Sequence, residues 1–418
     1  MATLVIILWT ILPLYTECIL FPGQDEGPLI AVLDILATKM DIFDPSGGVN
    51  ATIIEEINLE NGQAGGSCGI DFNYRGNMIY WTDVYAKKVY SLKAGDEEQE
   101  VILEGGLGSP EGLAYDWIHN NLYVSDWELH KIMVINPETG VRKTLLTDVH
   151  RVRDLEVDPR TGWLYWISGW DETALLMKST LDGQNQVVIS SDLRRPMSLS
   201  LDYDELKLYW TEIYPVNSIK SIRVDGEGQT IVHQLGSHFW FSPKYITVTK
   251  DYIYWTQGIT FTVFGRAKNN SGEVILYRNL LKYGRWDLQK NKFMGILAID
   301  PRKQTISVCG DNNGGCSHFC LPTLILSVPP YNCACPDGMD LMNDNSTCSG
   351  GMNSVDGNST SSGEMNSMNI NSTSSSGMNL MDGNATSSDG VNLMDDNPTS
   401  LDEEMNVMDD NSTAEIQI

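Results

Sequence analysis

Six of the eight cysteines fall in one short frame: Cys309, Cys316, Cys320, Cys333, Cys335 and Cys348. Thiols this close either close disulfides or hold zinc. The Cys333-Ala-Cys335 step, followed by Pro336 and Gly338, favours disulfides over a tetrahedral thiolate site. Six cysteines allow about fifteen pairings, and spacing alone leaves them open. A segment of about 40 residues needs such staples, because it cannot bury a useful core. His318 reads as a surface residue. Cys68 stands apart and is expected to be a buried, unpaired thiol, while Cys18 is expected to leave with the N-terminal segment. The other recurring chemistry is acidic or polar: Asp83 and Asp126, with Ser168, Glu212 and Gln257 in the corresponding places, each end an aromatic strand. An Asp there can accept backbone N–H groups and tie a strand to its neighbour, which is a structural role. No Gly-x-Ser-x-Gly, His-Glu-x-x-His or phosphate-binding glycine loop occurs. An enzyme, a metal site and a cofactor are therefore not expected.

Those polar ends belong to a repeat. Tyr80-Trp81-Thr82-Asp83 returns as Tyr123-Val-Ser-Asp126, Tyr165-Trp166-Ile-Ser168, Tyr209-Trp210-Thr-Glu212 and Tyr254-Trp255-Thr-Gln257, with starts 43, 42, 44 and 45 residues apart. A period near 43 is that of a four-stranded propeller blade, which cannot bury both faces alone. Large aromatics on the second strand of each blade fill the wedge to its neighbours. Short strands at 29–33, 39–43 and 52–56 lack a first strand, whereas Met294–Asp300 lacks followers. The sequence thus predicts an all-β fold with six blades, the last one shared between the two ends so that no open edge remains. Its fifth blade is irregular through Phe261–Val274. The expected domains are a signal peptide over 1–20, the propeller over 28–308, the cysteine module over 309–348 and a disordered tail over 349–418.

The formal net charge is −27, and the segment from Pro336 onward carries 15 acidic residues and no Lys or Arg. The missing basic footprint argues against nucleic-acid binding. Ala2–Tyr15 is almost continuously apolar and reads as a secretory signal, since about 14 residues fall short of the roughly 20 needed to span a bilayer. The chain is expected to be secreted and extracellular, without a membrane span, the alternative being an uncleaved N-terminal anchor. From Met339 a 13-residue phrase repeats, starting again at Met352, Met365, Met378 and Val391, with a slipped copy at Met405. Its Asp, Asn, Ser and Gly leave little to bury, hence the expected disorder. Glycosylation sequons stand at Asn50, Asn269, Asn345, Asn358, Asn371, Asn384 and Asn411.

These motifs closely resemble the low-density lipoprotein receptor family, in its YWTD six-bladed propeller followed by an EGF-like module. The resemblance covers roughly residues 28–348. It implies the EGF pairing Cys309–Cys320, Cys316–Cys333 and Cys335–Cys348, and a module packed on the propeller as a rigid unit. Gln304–Val308 lacks the acidic consensus of calcium-binding EGF modules, so no calcium site is expected there. The calcium-dependent ligand repeats of family receptors are missing here. The family's low-pH release sets propeller histidines against those repeats, so His119, His130, His150, His233 and His238 would have nothing to meet. The body also resembles nidogen propellers, which implies the alternative of a secreted matrix protein. Some six-bladed propellers are calcium-dependent hydrolases, but the aspartates here are accounted for by strand ends and turns.

Loops joining an outer strand to the next inner strand gather on one propeller face, together with those joining second to third strands. That face is expected to bind an extracellular protein or peptide ligand, with receptor or matrix proteins as partner classes. Its candidates are Glu111, Trp127, Glu128, Arg153, Trp170, Asp171, Arg195, Glu212, Tyr214, His238, Phe239, Trp240 and Trp286. Aromatic residues beside charges suit a protein-binding patch. The densest cluster is Ser237-His238-Phe239-Trp240-Phe241, in which Phe239 and Phe241 could instead tuck under the rim.

Overall fold

The computed structural model describes residues 27–34, 39–51, 53–59, 67–96, 98–213, 215–238, 241–257, 262–269, 275–279, 293–304, 313–322 and 331–349. The signal segment and the repeat tail beyond Ser349 lie outside them.

Six four-stranded antiparallel sheets form the propeller. The chain enters on β1 (Leu29–Asp34), β2 (Lys39–Phe43) and β3 (Ile53–Asn58). Blade one follows as β4 (Ser67–Asn73), β5 (Met78–Asp83), β6 (Lys88–Lys93) and β7 (Glu100–Glu104). Blade two is β8 (Pro110–Asp116), β9 (Asn121–Asp126), β10 (Lys131–Ile135) and β11 (Arg142–Leu146). Blade three is β12 (Leu155–Asp158), β13 (Trp163–Ser168), β14 (Leu175–Thr180) and β15 (Val187–Ser190). Blade four is β16 (Pro196–Asp202), β17 (Lys207–Glu212), β18 (Ser218–Arg223) and β19 (Thr230–Gln234). Blade five is β20 (Pro243–Val248), β21 (Tyr252–Gln257), β22 (Thr262–Ala267) and β23 (Ile275–Asn279), paired in the same order as the others despite the expected irregularity. Then β24 (Phe293–Ile299) pairs with β1, Leu29 opposite Ile299, to give the sheet order β24-β1-β2-β3. The shared sixth blade read from the sequence is present.

The period-2 alternation of a strand divides the work of each aromatic motif. Trp81 packs into the sixth blade with Ala31 and Ile42, whereas its neighbour Tyr80 packs into blade two with Leu113 and Tyr115. Trp166, Trp210 and Trp255 likewise join the preceding blade, and Tyr165, Tyr209 and Tyr254 the following one. Tyr123 follows the same rule, with Val124 in the place of the indole. The four tryptophans are at most 1% exposed. Burying such rings supplies the main inter-blade cohesion, on the order of 1.5–3 kcal/mol for each large apolar side chain.

The third motif position fastens blades at their inner edges. The Thr82 hydroxyl accepts the Gly69 N–H at 2.9 Å and donates to the Glu111 carbonyl of blade two at 2.9 Å. Thr211 repeats this between Ser198 and the Lys244 carbonyl. Inner strands are also tied by side chains that accept the next blade's backbone: Asp71 from Tyr115 N–H, Asp154 from Leu199 N–H, and Thr247 from Ala298 N–H. Crowding near the axis is severe. A Cβ on Gly69 would lie 2.5 Å from the Glu111 carbonyl oxygen, and one on Gly295, at φ +93°, 2.5 Å from that of Cys68.

The cysteine module contains β25 (Phe319–Pro322) and β26 (Tyr331–Ala334). Cys316 pairs with Cys333 and Cys335 with Cys348. Cys320 is disulfide-bonded, while Cys309 lies outside the described residues. The module is docked on blades two and three. Phe319 and Leu321, 0% and 1% exposed, share a core with Val152, Leu181 and Tyr123. The Asp337 carboxylate accepts both the N–H (3.0 Å) and the hydroxyl (2.9 Å) of Thr144. Asn332 donates to Asp182 at 3.0 Å, and Asn121 to the Cys320 carbonyl at 3.3 Å.

Candidate functional site

Three loops meet where blades two and three adjoin: residues 127–130 between β9 and β10, 147–154 between β11 and β12, and 169–174 between β13 and β14. Asp126, fully buried, fixes the first of them by accepting N–H groups from Gly108, Ser109 and Leu129 at 2.8, 3.0 and 3.0 Å. Trp127 N–H donates to the Ser109 carbonyl at 2.9 Å, which places the half-buried indole over the neighbouring loop. In the second loop, Arg151-Val152-Arg153 alternates: Val152 is buried in the core and both arginines turn the other way.

The result is a ladder of stacked cations and rings. The Arg151 guanidinium lies 5.2 Å from the Trp127 ring centroid, and that of Arg153 lies 5.8 Å from it. Arg153 also sits 4.0 Å above Trp170. A guanidinium within about 6 Å of an indole face gains roughly 0.5–2 kcal/mol and loses mobility. Arg153 Nη1 contacts the Glu111 carboxylate at 3.4 Å, whereas its Nε is buried without an acceptor. Beside the ladder, His130 and His150 stack with ring centroids 5.6 Å apart, and His130 Nδ1 accepts the Arg151 N–H at 3.2 Å. His130 and Arg151 both hold positive φ, +52° and +47°, a conformation unfavourable for residues with a Cβ and here held by these contacts.

Arg153 and Glu111 also line a small axial cavity of about 60 Å³, with Asp71, Asp154, Glu156 and Lys303. Burial raises the carboxyls there, Glu111 to about 7 and Asp71 and Asp154 to about 6, against the lowering effect of Arg153 on Glu111 and of backbone N–H donors on Asp71 and Asp154. Glu156 is raised as well, again by burial. Cys68, a free buried thiol at the same cavity, is pushed well up by burial, which leaves it a poor nucleophile. Among the described residues, no group of three or more His, Cys, Asp or Glu is placed to hold a metal ion. The axial carboxylates Asp71 and Asp154 are engaged as inter-blade ties. This arrangement can grip a ligand, but it has no nucleophile paired with a base.

The sequence candidates divide. Trp127, Arg153, Trp170 and Glu111 come together in the ladder. Glu128 is exposed beside it and pairs with Lys87 at 3.4 Å. Asp171 is exposed and held by the Thr173 hydroxyl and N–H at 2.7 and 2.8 Å, which hold its carboxyl below the usual carboxylate range. Arg195, in the loop before blade four, is exposed at φ +47°, the conformation of Arg151. His238 is exposed, its carbonyl accepting from Asn217 at 2.8 Å. Phe241 is 47% exposed and so does not tuck under the rim. Tyr214, Phe239, Trp240 and Trp286 lie outside the described residues. Glu212 needs correcting as a surface contact. It is 0% exposed, accepts from Arg194 N–H (3.0 Å), Trp210 Nε1 (3.2 Å) and Ser218 (3.2 Å), and pairs with Lys220 at 3.0 Å. Its longer side chain does inside the fold what Asp126 does in blade two.

Arg151 is the ladder residue that the sequence reading missed, although the charged–apolar–charged pattern across Val152 signals it. Tyr85 and Leu129, 68% and 45% exposed on the same kind of loop, were missed too. Away from the ladder, His119 is buried with Nδ1 at 2.6 Å from Asp116, and His233 lies against Arg266 at 2.8 Å. Of the sequons, Asn269 and Asn345 are exposed and Asn50 ends a 3-10 turn, while Asn358, Asn371, Asn384 and Asn411 lie outside the described residues. No helix among the described residues is long and apolar enough to cross a membrane.

Comparison with known proteins finds similarity at the level of family, sequence and fold. A family model described as the coagulation factor Xa inhibitory site covers residues 309–348. The vitellogenin receptor Yl of Drosophila melanogaster is 30% identical over 341 residues, which is 79% of this chain but 16% of that receptor. The chain is thus similar to a small part of a much longer protein. The fold is similar to a chain in the crystal structure of a nidogen/laminin complex, with a TM-score of 0.55 and 19% identity, covering 65% of this chain and 97% of that one.

Proposed function

We propose, for a chain that is an extracellular protein-interaction propeller with an EGF-like module, related to receptors of the low-density lipoprotein receptor family, that it binds a protein or peptide ligand on the face built by the Arg151–Trp127–Arg153–Trp170 ladder. The observation that carries this reading is the ladder itself. Two arginines and two tryptophans, the residue types that anchor protein interfaces most strongly, are fixed in register by loops whose own polar groups are bonded to the scaffold. Glu128, Asp171 and His238 border this face, and Tyr214, Phe239, Trp240 and Trp286 are proposed to extend it by their places in the loop order. Binding is the chain's chemistry, not catalysis. Partners of the receptor or matrix kind both suit a rigid, aromatic-and-charged face. The likeness to nidogen is one of fold and adds no ligand.

The test is capture. The secreted full chain, immobilised, is offered extracellular proteins from its source, next to a Trp127→Ala/Trp170→Ala variant whose unfolding temperature confirms that it folds. A partner retained by the native chain and lost by the variant supports the face. Equal retention by both refutes it and moves binding to the module or the side of the ring.

A further inference from the structure

The fourth strand of each blade presents one edge outward, where among the described residues no further strand pairs with it. Unpaired edges invite other strands, and folded proteins guard them with charge or cover. Blade two is covered. Asp337 of the module donates its N–H to the Arg142 carbonyl at 3.1 Å and accepts the Thr144 N–H at 3.0 Å, so outward backbone groups of β11 are occupied. Blade one and the sixth blade are charged: Glu100 and Glu104 flank Val101 on β7, and Glu55 and Glu56 follow Ile54 on β3. Blade three has neither device. Gln184–Ser191, which contains β15, holds no Asp, Glu, Lys or Arg, and Val187 and Val188 are 46% and 50% exposed. From this contrast we propose that β15 is a pairing edge, and that its occupant is a second copy of this chain, bound antiparallel about a two-fold axis.

The register fixes which groups are offered. Thr144 faces Met133 and Val188 faces Met177, each at the same shift between third and fourth strands. Val188 N–H and the Gln186 carbonyl therefore point outward, as Thr144 N–H and the Arg142 carbonyl do. In an antiparallel pair centred on Val187, Val188 N–H of each copy meets the Gln186 carbonyl of the other, and the two Val187 side chains face each other. The cation opposite Val187, Lys178, is turned to the Val224 carbonyl at 2.8 Å and to the Trp163 ring. The Ser190 hydroxyl donates to Gln229 of blade four at 2.7 Å. That bond sets a second uncharged edge beside the first: β19, with Ile231 58% exposed.

Charge decides the occupant. The chain carries a net −27, so two copies repel over most of their surface. An uncharged window is where like chains can approach, and a two-fold axis needs only a patch that complements itself. A basic foreign strand would find no carboxylate within the window to reward it. Four residues of edge form few bonds, so the association is weak, about micromolar or weaker.

The test is sedimentation of the full secreted chain over a range of concentrations. The native chain should show a reversible monomer–dimer equilibrium. Val187→Lys should weaken the dimer about tenfold or more, at an unchanged unfolding temperature because the side chain is exposed. Val187→Glu should do the same. Mixed together, the two variants should dimerise again, since position 187 meets itself across the axis; a mixture that stays monomeric overturns the antiparallel pairing. Val101→Lys on the edge of blade one should leave the dimer unchanged. So should Trp127→Ala/Trp170→Ala, which separates this edge from the binding face proposed above. A native chain that stays monomeric at its highest soluble concentration overturns self-pairing. A dimer that survives Val187→Lys overturns the assignment of the edge. A monomeric native chain that retains uncharged extended peptides, and loses them in Val187→Lys, replaces the second copy by a foreign strand.

Discussion

The module joint and the ladder are both contacts over blades two and three, and they are built on opposite plans. At the joint, Phe319 and Leu321 are buried in a shared apolar core, and Asp337 meets Thr144 through both of its oxygens. The polar groups described there find partners within the chain. In the ladder, charges are stacked on rings that stay half-buried, and Arg153 Nε has no acceptor. A surface made to stay closed satisfies its polar groups internally. One made to exchange partners keeps some binding capacity in reserve. Joint substitutions should therefore change stability and spare binding, and ladder substitutions the reverse.

The largest effects should come from buried groups that the comparison excludes from binding. Glu212→Ala leaves buried Lys220 with only the longer Asp192 contacts, 3.4 Å to its carbonyl and 3.9 Å to its carboxylate, and should cost about 3–5 kcal/mol, read from chemical unfolding, without changing ligand affinity in whatever fraction remains folded. Phe319→Ala should cost a similar 3–5 kcal/mol in stability. If it also abolished ligand capture with the propeller still folded, the division between joint and ladder would break. Trp127→Ala should weaken ligand binding by about 2 kcal/mol or more while shifting the unfolding midpoint little, measured by calorimetric titration and thermal scan. Asp337→Ala removes the acceptor of the Thr144 N–H and hydroxyl at an exposed rim and should cost about 1–2 kcal/mol, visible as faster proteolysis near the module.

The smallest effect concerns pH. Asp71, Asp154 and Glu111 have folded values raised to about 6, 6 and 7, so the folded state binds their protons more tightly than the unfolded chain does. Their contribution to stability is full below the ordinary carboxylate range near pH 4 and is lost as pH rises through 6 to 7. Unfolding midpoints should fall between pH 5.5 and 8, and Asp154→Asn should flatten that slope; an unchanged slope would remove the axial carboxyls as its source.

Much of the fold was legible because it repeats. The spacing of Tyr80, Tyr123, Tyr165, Tyr209 and Tyr254 sets the blade period, and the orphan strands at either end of the propeller ask for each other. The site was legible only in part. Trp127 and Trp170 stand out by type and loop position, but Arg151 becomes significant only when Val152 is seen to turn inward. Glu212 misleads because burial is a property of the closed ring: one extra methylene lets it reach Arg194 N–H and Lys220 inside the fold. The docking of the module on blades two and three depends on shape and on Thr144, Asn121 and Asp182, none of which has a distinctive sequence pattern.

The shared blade also determines how the molecule carries tension. Leu29 and Ile299 face each other in the β1–β24 pairing, so a pull applied through these two residues would open that seam like a zip, a pair of bonds at a time, instead of shearing all of them together. A load arriving through the module also meets the ring at Thr144, Asn121 and Asp182, three places in blades two and three and not in the seam. The joint thus acts as a strain relief: it shares force with blades two and three instead of leaving all of it to the seam.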